Sequence, residues 1–216
     1  DLVALPGEQF LIVSEMGEFL TDAPGKLSLL NLSSGSREAL NIDWSVQSNK
    51  RGDIACPAPD IASFSPHGID LTSLNGGELQ LLVVNHGGRE SIEFFEVQKS
   101  EGVWSLAWQG CALPPDDPFI NDVAGLDEGG FLITHMWDKT TAFDEVARKL
   151  FAGEATGWVY EWQPGQGFTK VSGSDDLMPN GIAVSRDNTK IFVNSYFGGK
   201  TIKIDRASST REGEFP

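Results

Sequence analysis

Three segments of this chain repeat one plan, and that repetition limits the fold more than any other feature. His67-Gly68-Ile69 opens the first, Asn121-Asp122-Val123 the second and Asn180-Gly181-Ile182 the third. In each, a polar opener leads into an apolar strand, then a tight turn rich in Gly, Asn or Asp, then a second apolar strand. The openers stand 54 and 59 residues apart, and the segment starting at Asp1 looks like an earlier copy 66 residues before His67. Units of about four strands at this spacing match the blades of a β-propeller. A β-sandwich offers no reason for internal repetition.

Strand-like runs fill the rest of the chain. They cover residues 10–15, 26–32, 80–85, 91–97, 103–108, 130–134, 157–162, 168–171, 190–194 and 201–205, most of them rich in Val, Ile, Phe or Trp. The helices that parallel βαβ units require are largely missing. One segment breaks the pattern. Residues 138–153 place Phe143, Val146 and Leu150 at helical spacing ahead of Gly153, which predicts a short amphipathic helix inserted into a blade. It reads equally as a plain surface insertion and as a cover over a site. The polar stretch 207–216 reads as a tail after the last strand. One partial propeller domain over 1–216 is expected, with a helical insertion near 138–153.

In a propeller the innermost strand of each blade starts near one end of the central channel. Equivalent openers then converge, so His67, Asn121 and Asn180 are expected around one small space. A second histidine, His86, closes the strand that pairs with the His67 segment. Two of the chain's 3 histidines within one sheet unit suggest a site. The formal charge is −15, from 31 acidic against 16 basic residues. Such a surface repels phosphate backbones, which argues against nucleic acid as a partner. It attracts cations, although charge alone indicates only an acidic surface. No run approaches the roughly 20 apolar residues that span a bilayer, so membrane association is not indicated. No signal peptide is visible, and without an initial Met the chain is expected to begin inside a longer protein. Cys56 and Cys111 form the only possible intrachain disulfide, and the sequence leaves a bond and two free thiols equally open. Localisation stays open, with secreted, periplasmic or membrane-anchored ahead of cytoplasmic.

The segments Phe64 to Ile69, Leu81 to His86, Glu93 to Val97, Asn121 to Ala124 and Asn180 to Ser185 agree in order and spacing with one family. Through them the chain resembles the paraoxonase/arylesterase group, within the wider set of gluconolactonase-like propeller lactonases. The resemblance covers about residues 1 to 205. The Pro66-His67-Gly68-Ile69 and Val83-Val84-Asn85-His86 pair is its most telling part. It implies a six-bladed β-propeller, all-β, of which this chain holds about four blades. It also implies a calcium-dependent hydrolase of lactones or aryl esters acting on a small-molecule substrate. Two Ca2+ ions follow from it. Asn121 and Asn180 match ligands of the catalytic ion. Asp1, Asp122 and the backbone carbonyl of Ile69 match ligands of a structural ion. His67 and His86 match the family's histidine dyad. A family glutamate ligand falls just before Asp1, and an Asp-Asn pair falls beyond Pro216.

The chemistry is consistent with those residue types. Calcium takes roughly six to eight oxygen ligands, and amide oxygens suit it. Zinc does not fit a chain with few imidazoles and no clustered cysteines. A bound cation polarises an ester carbonyl, and an imidazole deprotonates the attacking water while a second imidazole orients it. Taken without the family, each histidine reads as a turn or strand-end residue that satisfies backbone groups. His135 ends the equivalent strand one blade later, and a structural role is expected for it. Ser65 lacks a nucleophile-elbow context. Glu93 and Glu96 read as a solvated strand face, and Asp116, Asp117 and Asp187 as turn residues. Trp104, Trp108, Trp158 and Trp162 read as packing between blades. Two other functions stay open: a propeller binding module with calcium as a structural pin, and a strictosidine synthase-like propeller.

Overall fold

The structure is a computed structural model that describes residues 1–18, 21, 23–45 and 51–216. The chain divides into two compact units, Asp1–Leu113 and Pro114–Pro216. Each unit contains two sheets of the blade type, built on four antiparallel strands each, and the fold is that of a β-propeller represented by four blades.

In the first unit, β1 (Leu2–Ala4), β2 (Phe10–Glu15), β3 (Lys26–Asn31) and β4 (Arg37–Ala39) pair in sequence order as the first blade. The second blade is β6 (Pro66–Ser73), β7 (Leu79–Asn85), β8 (Ser91–Ser100) and β9 (Val103–Ala112), with β5 (Asn41–Asp43) added in parallel to β9. Leu5, Ile12, Leu27 and Leu29 pack against Ile69, Leu81, Val83, Phe95 and Trp108 to form the core between them. Cys56 and Cys111 are disulfide-bonded, with Cα atoms 5.6 Å apart. This resolves the alternative that the sequence left open and ties the loop before β6 to the end of β9.

In the second unit, β10 (Pro118–Gly125), β11 (Phe131–Asp138), β12 (Trp158–Gln163) and β13 (Gly167–Lys170) form one blade. The other is β14 (Pro179–Val184), β15 (Lys190–Ser195), β16 (Lys200–Asp205) and β17 (Thr210–Phe215). Leu132, Val159, Ile182, Ile191, Val193, Ile202 and Ile204 fill the space between them. The stretch read as a polar tail is β17, which pairs with β16 and completes the blade. Its backbone forms a ladder although its side chains bury little.

The helical insertion is α1 (Phe143–Phe151). Val146 and Leu150 pack on Phe119, Met136, Trp137 and Met178. Phe143, the first residue of the expected apolar stripe, is instead 60% exposed. Asp144 and Glu145 lie in the first turn and Arg148 and Lys149 in the last, which complements the helix dipole.

The three openers share a backbone device. Between Pro66 and Ile69 the inner strand advances three residues while its partner advances two, from Asn85 to Val83. The same offset occurs between Ile120 and Val123 against His135 and Ile133, and between Pro179 and Ile182 against Ser195 and Val193. Each is a bulge of one extra residue, which breaks strict alternation and re-aims a side chain. His67, Asn121, Asp122 and Asn180 all sit in these bulges.

Candidate functional site

The site in the first unit is built on the bulge of β6 and the turn after β7. His67 Nδ1 lies 2.9 Å from His86 Nε2, with ring centroids 5.1 Å apart. The sequence expectation that these histidines belong together is met at the level of geometry. The turn that carries His86 is set by Asn85, which is fully buried. Its Oδ1 accepts from the backbone N–H of Ser65 at 2.9 Å and of Gly87 at 3.1 Å. Its Nδ2 donates to the carbonyls of Gly87 and Arg89 and to Ser91 Oγ. A Cβ on Gly87 would stand 1.6 Å from the Ser63 carbonyl oxygen, so only glycine fits there. Gly88 follows at φ +72°, which is left-handed backbone that glycine adopts without strain.

That turn returns the chain so that Glu90 faces His86. Both Glu90 carboxylate oxygens lie 2.9 Å from His86 Nδ1. The two side chains, His86 and Glu90, are 8% and 2% exposed. Sequence reasoning passed over Glu90. The available signal was an acidic residue four positions after a histidine, across a Gly-Gly turn.

Burial pushes the His67 imidazole down to about 4, with His86 and the Asp1 α-amino group acting in the same direction and Glu90 opposing them. The Ser14 hydroxyl holds the other side of the bulge. It donates to the His67 carbonyl and accepts from the Asp1 amino group at 2.9 Å. Asp1 and the residue 67–69 bulge are thus tied through one side chain. Ile69 itself is buried in the core. Ser65 Oγ accepts from the Gly17 backbone N–H, consistent with a structural residue rather than a nucleophile.

In the second unit, Thr134 connects two openers. Its Oγ1 accepts from the Asp122 backbone N–H at 3.1 Å and donates to the Asn180 carbonyl at 2.5 Å. Asp122 Oδ2 accepts from the Ile182 N–H at 2.9 Å, and Oδ1 from the Val123 N–H. The structure therefore brings the Asn121-Asp122 and Asn180 bulges together. Asn121 is buried and Asn180 half-buried. Their amide oxygens, like the Asp122 carboxylate oxygens, are hard donors of the kind calcium takes. These residues fit part of a calcium shell and fall short of the roughly six to eight oxygens such an ion takes. Among the described residues, no group of three or more His, Cys, Asp or Glu side chains is placed to hold a metal.

His135 lies in β11 and is 1% exposed. Its ring stacks on Tyr160 at 6.1 Å and meets Trp158 edge-on at 4.2 Å. Burial holds it below its ordinary value, against the Trp137 backbone and Asp138. These contacts agree with the structural role expected for it. The turn readings of Asp116, Asp117 and Asp187 also agree. Asp116 and Asp117 have φ of 66° and 47°, and Asp187 accepts from Ser185 and Thr189.

The reading of Glu93 as solvated is overturned. It is 0% exposed and accepts from Trp108 Nε1 at 2.8 Å and Ser91 Oγ at 2.7 Å, with an Arg89 guanidinium nitrogen at 3.3 Å. β8 is an interior strand covered on both faces from Ser91 to Phe95, so Glu93 does not reach water. Glu96 is half-buried and accepts from Gln109. Trp104 and Trp108 pack in the core between the first two blades. Trp162 stacks on Phe131 of its own blade, and Trp158 is half-buried under the Lys170 ammonium.

Among the described residues, no helix is long and apolar enough to cross a membrane. The chain is 24% identical over 176 residues to human (Homo sapiens) serum paraoxonase/arylesterase 1, covering 81% of this chain and 45% of that protein. It is 31% identical over 137 residues to the mouse (Mus musculus) protein of the same name, covering 62% of this chain and 37% of that protein. The chain thus spans less than half the length of these curated relatives. Among solved structures, hydrazine synthase of Kuenenia stuttgartiensis superposes with a TM-score of 0.59 at 12% identity, over 95% of this chain and 52% of that one. At that identity the likeness shows the fold alone. The family model described as Arylesterase matches residues 4–209, nearly the whole chain, and the chain belongs to the arylesterase family.

Proposed function

We propose that this chain is the histidine-bearing part of a calcium-dependent hydrolase of lactones or aryl esters. The observation that carries the reading is the 2.9 Å contact between His67 Nδ1 and His86 Nε2 at the bulged start of a blade. It joins two ionisable rings in a half-buried setting, the arrangement a base and its orienting partner require. Membership of the arylesterase family supports the reaction class, and the names of the relatives point to ester hydrolysis.

In this proposal His67 is the general base. Its imidazole, kept neutral by burial, takes a proton from a water molecule. The resulting hydroxide forms a C–O bond to the acyl carbon. The tetrahedral adduct then breaks its bond to the leaving alkoxide or phenoxide, which recovers the proton from His67. His86 orients the His67 ring throughout. General-base assistance of this kind is worth on the order of a hundred- to ten-thousand-fold.

The calcium roles implied by the family belong to the same proposal. Asn121 and Asn180 would contribute amide oxygens to one ion. Asp1, Asp122 and the Ile69 carbonyl would contribute to the other. When bound, the first ion supplies Lewis-acid polarisation of the ester carbonyl. Remaining ligands would come from parts of the protein outside this chain.

The test is hydrolysis of phenyl acetate and of an aliphatic lactone by the full-length protein, with and without a calcium chelator. Turnover of at least one substrate, abolished by chelation and restored by calcium, is the expected result. Absence of turnover of both in calcium would remove the hydrolase reading and favour a binding propeller.

A further inference from the structure

We infer that Glu90 is a positioning residue that fixes the tautomers of His86 and His67 in series, so that His67 presents its Nε2 lone pair. The inference rests on the hydrolase reading for its function, but its physical basis is the hydrogen-bond chain itself. Two successive links are each 2.9 Å: both Glu90 carboxylate oxygens to His86 Nδ1, then His86 Nε2 to His67 Nδ1.

A carboxylate only accepts, so His86 Nδ1 must carry the hydrogen. A neutral imidazole has one N–H, which leaves His86 Nε2 as an acceptor. His67 Nδ1, facing that acceptor, must then be the donor. One proton remains on His67, so its Nε2 is unprotonated. The outcome at His67 is decided two contacts away, by the acceptor-only character of Glu90. A neutral carboxamide at position 90 removes the constraint. Its NH2 group can donate to His86 Nδ1, which turns His86 Nε2 into a donor and His67 Nδ1 into an acceptor. The remaining hydrogen then sits on His67 Nε2, where it blocks proton abstraction. A carboxylate that orients an imidazole in a catalytic triad acts by the same logic.

The position is built for this. Glu90 is 6% exposed as a whole residue, and the Ser63 carbonyl and the left-handed φ at residue 88 restrict the turn before it to Gly87 and Gly88. Asn85 locks that turn from inside.

Imidazole 15N shifts of histidine-labelled full-length protein at neutral pH read the tautomers directly. Protonated Nδ1 and unprotonated Nε2 on both rings are expected in the wild type. Nε2–H on neutral His67 overturns the inference and leaves the hydrolase reading intact. In Glu90→Gln, the proton should move to His67 Nε2 and kcat should fall on the order of 100-fold with KM within about twofold. Unchanged tautomers and unchanged kcat in folded Glu90→Gln also overturn it. Should His67→Gln hydrolyse substrate as well as wild type while the tautomers follow residue 90, the relay stands and the general-base role proposed for His67 fails.

Discussion

Trp108 donates its indole Nε1 to a Glu93 carboxylate oxygen at 2.8 Å, and neither side chain reaches solvent. Ser91 Oγ and Arg89 complete the shell around that carboxylate. A buried acid with three donors is costly to remove, because each donor is then left without its acceptor. Glu93→Ala should destabilise the protein by about 2–3 kcal/mol, seen as a lower urea midpoint. A midpoint equal to wild type would contradict the packing described for β8.

The same carboxyl predicts a pH effect. Burial pushes Glu93 above the ordinary 4.5, against the hydrogen bonds of Ser91 and Trp108 and the Arg89 charge. The folded state therefore holds this proton at pH values where the unfolded chain has released it. Its contribution to stability is complete below 4.5 and is lost as pH rises through the folded-state value. Glu93→Gln cannot titrate, so its plot of midpoint against pH should lose that decline. Parallel plots for the two proteins would show that Glu93 is not held high.

The Cys56–Cys111 bond closes a loop with a sequence separation of 55. Cross-linking a loop of that size restricts the unfolded chain by about 2–4 kcal/mol. The double variant Cys56→Ala, Cys111→Ala should lose that much on chemical denaturation, and wild type in a reductant should behave likewise. A midpoint insensitive to both would mean that the bond does not form in solution.

Asn121 sits in the β10 bulge with its neighbour Asp122 tied to Ile182 and Thr134. Removing its amide should take one oxygen from a calcium shell and leave the blade intact. Calorimetric titration of full-length Asn121→Ala should show calcium affinity weakened on the order of tenfold or more, about 1.4 kcal/mol. An unchanged isotherm would remove Asn121 from the ligand set.

The repeat was legible because each blade spends its apolar residues in the same order, and the polar openers punctuate that order. His67, Asn121 and Asn180 could be picked out because they occupy equivalent places in three copies. What the sequence hid follows from two physical causes. Interior strands such as β8 are covered on both faces, so alternation there does not separate water from core, and Glu93 reads as solvated when it is not. The edge strand β17 buries little on either face, so Thr210–Phe215 has the composition of a tail while its backbone completes a ladder. Glu90 escaped notice for a third reason. Its partnership with His86 depends on a turn whose path is set by Asn85 and the Ser63 carbonyl, and neither is visible as spacing.

The decisive measurement is kcat/KM of full-length His67→Gln on an aliphatic lactone in saturating calcium, alongside its unfolding midpoint. With His67 as general base, kcat/KM falls by about 100-fold or more while the midpoint stays close to wild type. Wild-type kcat/KM in the folded variant would contradict the account.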